Sequence, residues 1–227
     1  MAPASAVVNG LLYVIGGYEG AGQTPSNPVQ IYNPVKNSWT TGASMPTARG
    51  SAAAVVDAGA IYVIGGNGST LRLTTVEKYV PSTNTWTEEA PLLVGKSEPT
   101  AALLGTTIVS SDGYTTSGDT GDNESYTVST NTWKSVAADP NPRNANCFGA
   151  VSGQVYIAGG INNANPQTTS TVNESFSASA NKWTTQASMP TAVLWPASAV
   201  GSGALYCIGG QSSYQGPVVS NVQIYQP

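Results

Sequence analysis

The sequence predicts an all-β fold built from repeats, and three observations carry that expectation. One pattern recurs every forty-five to fifty residues: an apolar strand ending in a double glycine, a strand carrying an aromatic, then an Asn-x-Trp step. The tryptophans at 39, 86, 133 and 183 keep steps of 47, 47 and 50 residues. No segment shows sustained helical periodicity, and 25 Gly and 15 Pro punctuate the 227 residues with turn signals.

Each repeat reads as four strands, a to d. In the first, Pro3 to Val8 is strand a and Leu11-Leu12-Tyr13-Val14-Ile15-Gly16-Gly17 is strand b. Val29-Gln30-Ile31-Tyr32 is strand c, and Asn37-Ser38-Trp39 opens strand d. The second repeat gives Ser51 to Val56, then Ile61-Tyr62-Val63-Ile64-Gly65-Gly66, Val76-Glu77-Lys78-Tyr79 and Asn84-Thr85-Trp86. The third is the weakest match: Ile108-Val109-Ser110-Ser111 stands where the double glycine is expected, though Tyr126 and Trp133 keep their places. The fourth repeat has Val155 to Gly160, Asn173-Glu174-Ser175-Phe176 and Asn181-Lys182-Trp183. The fifth has Leu205-Tyr206-Cys207-Ile208-Gly209-Gly210 and Val222-Gln223-Ile224-Tyr225, and no strand d. Turns such as Asp57-Ala58-Gly59 and Pro81-Ser82-Thr83-Asn84 separate the strands.

Composition narrows the function classes. The chain carries 8 basic and 12 acidic residues, a net charge of −4, and no basic run, so nucleic acid is not an expected partner. No apolar stretch approaches the ~20 residues of a membrane helix, so no membrane insertion is expected. The N-terminus has neither a positive region nor a long apolar segment, so no signal peptide is read there. The Ser/Thr/Asn-rich, Lys-poor composition fits an extracellular or periplasmic protein. Cys147 and Cys207 lie on apolar strand patterns; their plain reading is two buried small hydrophobes, and the alternative is one disulfide between repeats, which spacing alone does not establish.

The joint pattern of double glycine, tyrosine and tryptophan resembles the kelch family of β-propellers over essentially the whole chain. The resemblance implies one propeller domain, residues 1–227, of about five blades of four antiparallel strands. The blades fall near 1–47, 48–94, 95–141, 142–191 and 192–227, the last lacking its outer strand. It places Ala-rich strand a innermost, where strands converge, and lets the Tyr and Trp rings fill the space between blades. A three-stranded last blade exposes an edge, so a homo-oligomer through it is an open expectation.

Kelch binding modules use the turn from strand d into the next a, and the loop after the double glycine, as a ligand-binding face. The positions that match are Arg49, Ser51, Lys96, Arg143, Asn144 and Trp195 from the d–a turns. Tyr18, Asn67, Tyr114, Asn162 and Tyr214 come from the b–c loops. Three cations favour a carboxylate or acidic peptide; Trp195 offers a stacking face for a sugar or aromatic group. The alternative is that Arg49 and Arg143 bridge backbone carbonyls and Trp195 plugs the channel. Arg143 reads one residue out of strict register with Arg49.

The expected function is therefore a non-catalytic module binding a protein, peptide or glycan. One enzymatic alternative is a sugar mutarotase or epimerase of the kelch type, with Glu98 as its sole acid/base candidate. Another alternative is a structural scaffold, or a fragment of a larger propeller, that self-assembles. With no histidine in the chain, serine–histidine catalysis and histidine-ligated metals are excluded, and neither cofactor nor metal is expected. The acidic stretch from Asp112 to Glu124 is read as a solvated loop rather than a calcium site, and Glu77, Glu124 and Glu174 as structural members of the repeat. Three glycosylation sequons, at Asn67, Asn123 and Asn173, are a weak signal in so Asn-rich a chain.

Overall fold

The computed structural model describes residues 1–70, 72–163 and 167–227. The chain divides into two compact units, residues 1–99 with 127–133 and residues 100–126 with 134–227.

The first unit contains two antiparallel meanders. Ala4–Val8, Leu11–Glu19, Thr24–Asn33 and Ser38–Gly42 form one, in that order; Ala53–Asp57, Ala60–Ile64, Val76–Val80 and Thr85–Glu89 form the other. Strands a and b are joined by two-residue turns with both residues left-handed, Asn9-Gly10 at φ 50° and 74° and Ala58-Gly59 at 47° and 80°. This is the turn geometry whose twist matches a hairpin. The registers coincide: Ala4, Ile15, Val29 and Gly42 lie opposite one another in the first sheet, as Ala53, Ile64, Val76 and Glu89 do in the second. One core fills the space between them, with Tyr13, Ile15, Val29 and Met45 packed against Ile61, Val63 and Tyr79.

The other three principal sheets belong to the second unit, apart from residues 127–133 of the third. The third runs Thr100–Leu104, Thr107–Ser111, Asn123–Thr127 and Thr132–Val136, and the fourth runs Cys147–Val151, Gln154–Ala158, Asn173–Ser177 and Lys182–Thr185. The fifth has three strands, Ala197–Gly201, Ala204–Ile208 and Val222–Tyr225. Two short hairpins, Tyr114–Thr115 with Gly118–Asp119 and Ile161–Asn162 with Thr168–Thr169, extend the loops after strand b.

The Asn-x-Trp step is a clamp. Asn84, Asn131 and Asn181 are left-handed, a conformation asparagine tolerates. Their Oδ1 atoms accept the amide hydrogens of Ala43, Ala90 and Ala137 at 2.7, 2.7 and 2.8 Å. Two residues on, Nε1 of Trp86, Trp133 and Trp183 donates to the carbonyls of those same alanines, each at 2.8 Å. The indoles also tilt against the strand-c rings, with Tyr79–Trp86 centroids at 4.9 Å and Phe176–Trp183 at 5.2 Å. Trp39 pairs with Tyr32 in the same way but is exposed.

Three readings need correction. The stretch from Asp112 to Glu124 is not a solvated loop: Asp112, Asn123 and Glu124 are buried, and Tyr114–Thr115 pairs with Gly118–Asp119. Register shows that Ser111 takes the place of Ile15 and Ile64, opposite Thr100. The double-glycine equivalent is therefore Asp112-Gly113, at φ 55° and 113° against 64° and 105° for Gly16-Gly17. Cys147 and Cys207 form a disulfide rather than two separate buried thiols. Strand a of the fourth sheet and strand b of the fifth approach to a Cα separation of 5.7 Å, within bridging range, and both residues are buried.

Candidate functional site

The turn from strand d into the next a has one construction throughout. Four steps after a buried residue comes the residue whose carbonyl accepts from the second residue of the glycine pair. Gly17 donates to Arg49 at 2.9 Å, Gly66 to Lys96 at 2.9 Å, Gly113 to Arg143 at 3.1 Å and Gly160 to Val193 at 2.8 Å. A Cβ on Gly16 would lie 2.5 Å from the Arg49 carbonyl, and Gly16 is left-handed, so close approach and conformation both demand glycine there. Arg49 and Arg143 thus occupy equivalent places, and the one-residue offset read for Arg143 disappears. Counting back four, Asp139 replaces Met45, Leu92 and Met189, all buried apolar side chains.

Two residues past each of these positions the backbone is left-handed: Ser51 at φ 52°, Glu98 at 53°, Ala145 at 56° and Trp195 at 50°. In the first unit the Ser51 amide donates to Ala2 at 2.9 Å and Glu98 to Ser51 at 2.8 Å; in the second, Trp195 donates to Ala145 at 2.8 Å. Within each unit neighbouring turns are thereby tied by their backbones, and the side chain at the left-handed position differs from turn to turn.

In the first unit, Arg49 is fully buried. Its guanidinium donates to the Glu77 carboxylate at 2.8 Å and to the carbonyls of Val63 and Thr75 at 3.2 and 3.3 Å, and Thr47 donates to the other Glu77 oxygen at 2.8 Å. Desolvation lowers its pKa to about 10, against the opposing pull of Glu77. Lys96 is fully buried. Ser51, Asn67 and Glu98 are half-buried. Tyr18, also half-buried, lays its ring against Gly50, where a Cβ would collide with the ring.

In the second unit, Arg143 repeats the arrangement, donating to Glu174 at 2.9 Å, to Ile157 at 3.0 Å and to Asn141 at 2.7 Å. Asn141 donates to the second Glu174 oxygen at 2.8 Å. Asp139 stands 3.6 Å from the same guanidinium, so two carboxyls share one cation. Burial first, and Glu174 with it, push the Asp139 carboxyl up to about 7 despite Arg143. Asn144 is buried and donates to Asp119, which also accepts from Asn163; Asn162 donates to the Pro142 carbonyl at 2.9 Å. Asp112 accepts from Asn146 at 3.1 Å. Tyr114 is half-buried.

Trp195 and Tyr214 differ from the rest. Both are about half exposed, and their rings form a tilted pair with centroids 6.1 Å apart at 53°. The fifth repeat has Val193 at the arginine position and Gln223 at the strand-c carboxylate position. Gln223 closes the turn instead by exchanging hydrogen bonds of 2.9 and 3.0 Å with the Thr191 backbone. The residues that follow the double glycine in register are Tyr18, Asn67, Tyr114, Ile161 and Gln211. Asn162 and Tyr214 therefore sit one and three residues further along their loops.

Sequence reasoning also missed a cleft of about 610 Å³ in the first unit, between the a–b turns at Asn9 and Ala58-Gly59 and the c–d turn at Pro81-Ser82. Tyr13, Tyr62 and Lys78 line it, and Lys78 is ion-paired to Glu89. Nothing in the repeat pattern marks it, because it arises from neighbouring turns rather than from a motif.

Five successive antiparallel sheets, linked by one recurring turn, define the β-propeller class. The Kelch motif matches residues 2–46, 48–93 and 142–190, more than half of the chain, and the chain belongs to the kelch-repeat family. Over 61 residues it is 43% identical to Kelch-like protein 35 of Homo sapiens and 41% identical to Kelch-like protein 35 of Mus musculus. Those matches span 27% of this chain and 10% of the length of each relative. A solved structure described as "Structure of YjhT" superimposes with a TM-score of 0.83 at 18% identity, over 98% of this chain and 80% of that one. That likeness is one of fold.

Proposed function

We propose that the chain is a non-catalytic binding module, and that the loops of its fifth repeat contact a glycan. The observation that carries this reading is the half-exposed Trp195–Tyr214 pair, displayed on a backbone position fixed by its neighbours. Aromatic faces of this kind stack on the apolar face of a sugar, and Ser212, Ser213 and Gln211 beside them supply neutral polar groups. Arg49 and Arg143 contribute to the scaffold instead, since Glu77 and Glu174 engage their charges. The disulfide supports an oxidising compartment, extracellular or periplasmic, as the place of action.

A glycan and peptide array tests this directly. Wild type binds neutral glycans and Trp195→Ala loses them; binding confined to peptides, or glycan binding unchanged in Trp195→Ala, overturns the glycan assignment. The enzymatic alternative rests on Glu98, half-buried at a left-handed turn position. Sugar anomers equilibrating faster with wild type than with Glu98→Gln would favour it, and equal rates would remove it.

A further inference from the structure

We infer that the second unit binds a monovalent alkali cation, sodium or potassium, in a buried polar pocket walled by Ser111, Asn123 and Asp139. The first unit shows what fills the same place in an apolar repeat. Ile15 of strand b, Val29 of strand c and Met45 of the d–a turn belong to one buried cluster. A Cβ on Gly16, just past Ile15, would lie 3.1 Å from Met45 Cε, so the turn side chain reaches the end of strand b. The third repeat exchanges all three residues at once. Ser111 stands for Ile15 by register, and Asn123 for Val29, each ten residues before the tryptophan of its repeat. Asp139 stands for Met45: its amide donates to Gly121 at 2.8 Å, as that of Met45 donates to Asn27 at 2.9 Å. The apolar cluster of Val109, Val155, Ile157 and Phe176 in the second unit contains none of the three.

Ser111, Asn123 and Asp139 are 0%, 2% and 3% exposed, and each has an oxygen with no hydrogen-bond partner among the described residues: Oγ, Oδ1 and Oδ2 respectively. The remaining polar atoms of the latter two are engaged. Asn123 Nδ2 donates to the Ala137 carbonyl at 3.1 Å, and Asp139 Oδ1 accepts from the Asn141 amide at 2.7 Å. Ser125, two residues past Asn123 on the same strand face, adds another unpartnered buried Oγ. Buried oxygens are costly unless something satisfies them. Charge selects the occupant. Arg49 faces one carboxylate, whereas Arg143 faces two, Glu174 at 2.9 Å and Asp139 at 3.6 Å. The second unit therefore buries one negative charge in excess, and a buried charge demands compensation. A carboxylate with neutral hydroxyl and amide oxygens is a donor set for a hard cation. A divalent ion would leave excess positive charge beside the Arg143 guanidinium; a monovalent one balances it. In cation-free buffer a proton on Asp139 takes its place.

Thermal unfolding of the full chain at pH 8 in sodium, potassium or choline chloride of equal ionic strength tests the inference. Sodium or potassium raises the wild-type melting temperature above its value in choline, by about 3–5 °C when the salt is about ten times the dissociation constant. Asp139→Asn keeps the size of the side chain, removes its charge, and melts alike in all three salts. The triple variant Ser111→Ile/Asn123→Val/Asp139→Met restores the apolar residues of the first repeat and also loses the discrimination. A crystal of wild type grown from rubidium chloride gives a second readout that needs no variant: an anomalous peak within bonding distance of Asp139 Oδ2 and Ser111 Oγ. No peak at that place, equal melting of wild type in all three salts, or a salt preference retained by Asp139→Asn would each overturn the inference. Calcium chloride stabilising wild type more than sodium or potassium chloride would overturn the monovalent assignment.

Discussion

The second and fourth repeats lock the strand d–a turn with a buried arginine and a strand-c glutamate; the fifth does the same task with Val193 and Gln223. In the charged version, Arg49 or Arg143 reaches two backbone carbonyls and a carboxylate. In the neutral version, Gln223 reaches the Thr191 backbone and Val193 fills the apolar space. The difference teaches that the charge pair is one of two ways to satisfy the same buried turn. It also separates scaffold from display, because the side chain shown two residues later, Ser51 or Trp195, is independent of how the turn is tied.

The largest expected effects come from breaking one member of each lock. Arg49→Val leaves Glu77 buried without its cation and costs about 3–5 kcal/mol in chemical denaturation. Adding Glu77→Gln, which recreates the pairing of the fifth repeat, recovers most of that loss. A double variant no more stable than Arg49→Val would show that the two turn designs are not interchangeable. Reducing the Cys147–Cys207 bond, whose ends are 60 residues apart, costs about 4 kcal/mol on a loop-closure estimate. A melting temperature insensitive to reductant would contradict this.

A smaller effect distinguishes the fourth repeat from the second. Asp139 replaces an apolar residue, and its carboxyl is raised from 3.8 to about 7 in the folded chain. The folded state therefore holds a proton that the unfolded state has released. This contribution to stability is complete below pH 3.8 and is lost as pH rises to about 7. Asp139→Asn removes that slope and raises the melting temperature at pH 8 by about 4 °C or more. A pH–stability profile identical to wild type would count against the shared-cation picture. Smallest of all, Trp183→Phe loses the bond to the Ala137 carbonyl and costs about 1 kcal/mol, whereas Trp39→Phe is near neutral.

The fold was legible because repetition amplifies weak signals. One Asn-x-Trp means little, but four in register define the clamp that Asn84, Asn131 and Asn181 make. The strand-c glutamates were readable as structural for the same reason. The aberrant third repeat was misaligned because Asp112 hides the glycine pair: aspartate tolerates the left-handed backbone that the pattern expresses only as Gly. The disulfide was not legible, since the distance between strands of different sheets is set by packing rather than by spacing. For the candidate residues, the sequence carries their place in the repeat but not their contacts. The d–a turns were located correctly, yet whether a buried arginine meets a ligand or a glutamate depends on side-chain geometry that no linear motif encodes.

The most direct measurement is a binding titration of the strongest glycan from the array against three folded proteins: wild type, Trp195→Ala and Arg49→Val/Glu77→Gln. Wild type and the double variant should bind alike, and Trp195→Ala should lose affinity at least ~10-fold, the scale of one lost stacking contact. Affinity lost in the double variant and kept in Trp195→Ala would mean that the buried cation, not the displayed aromatic pair, meets the ligand.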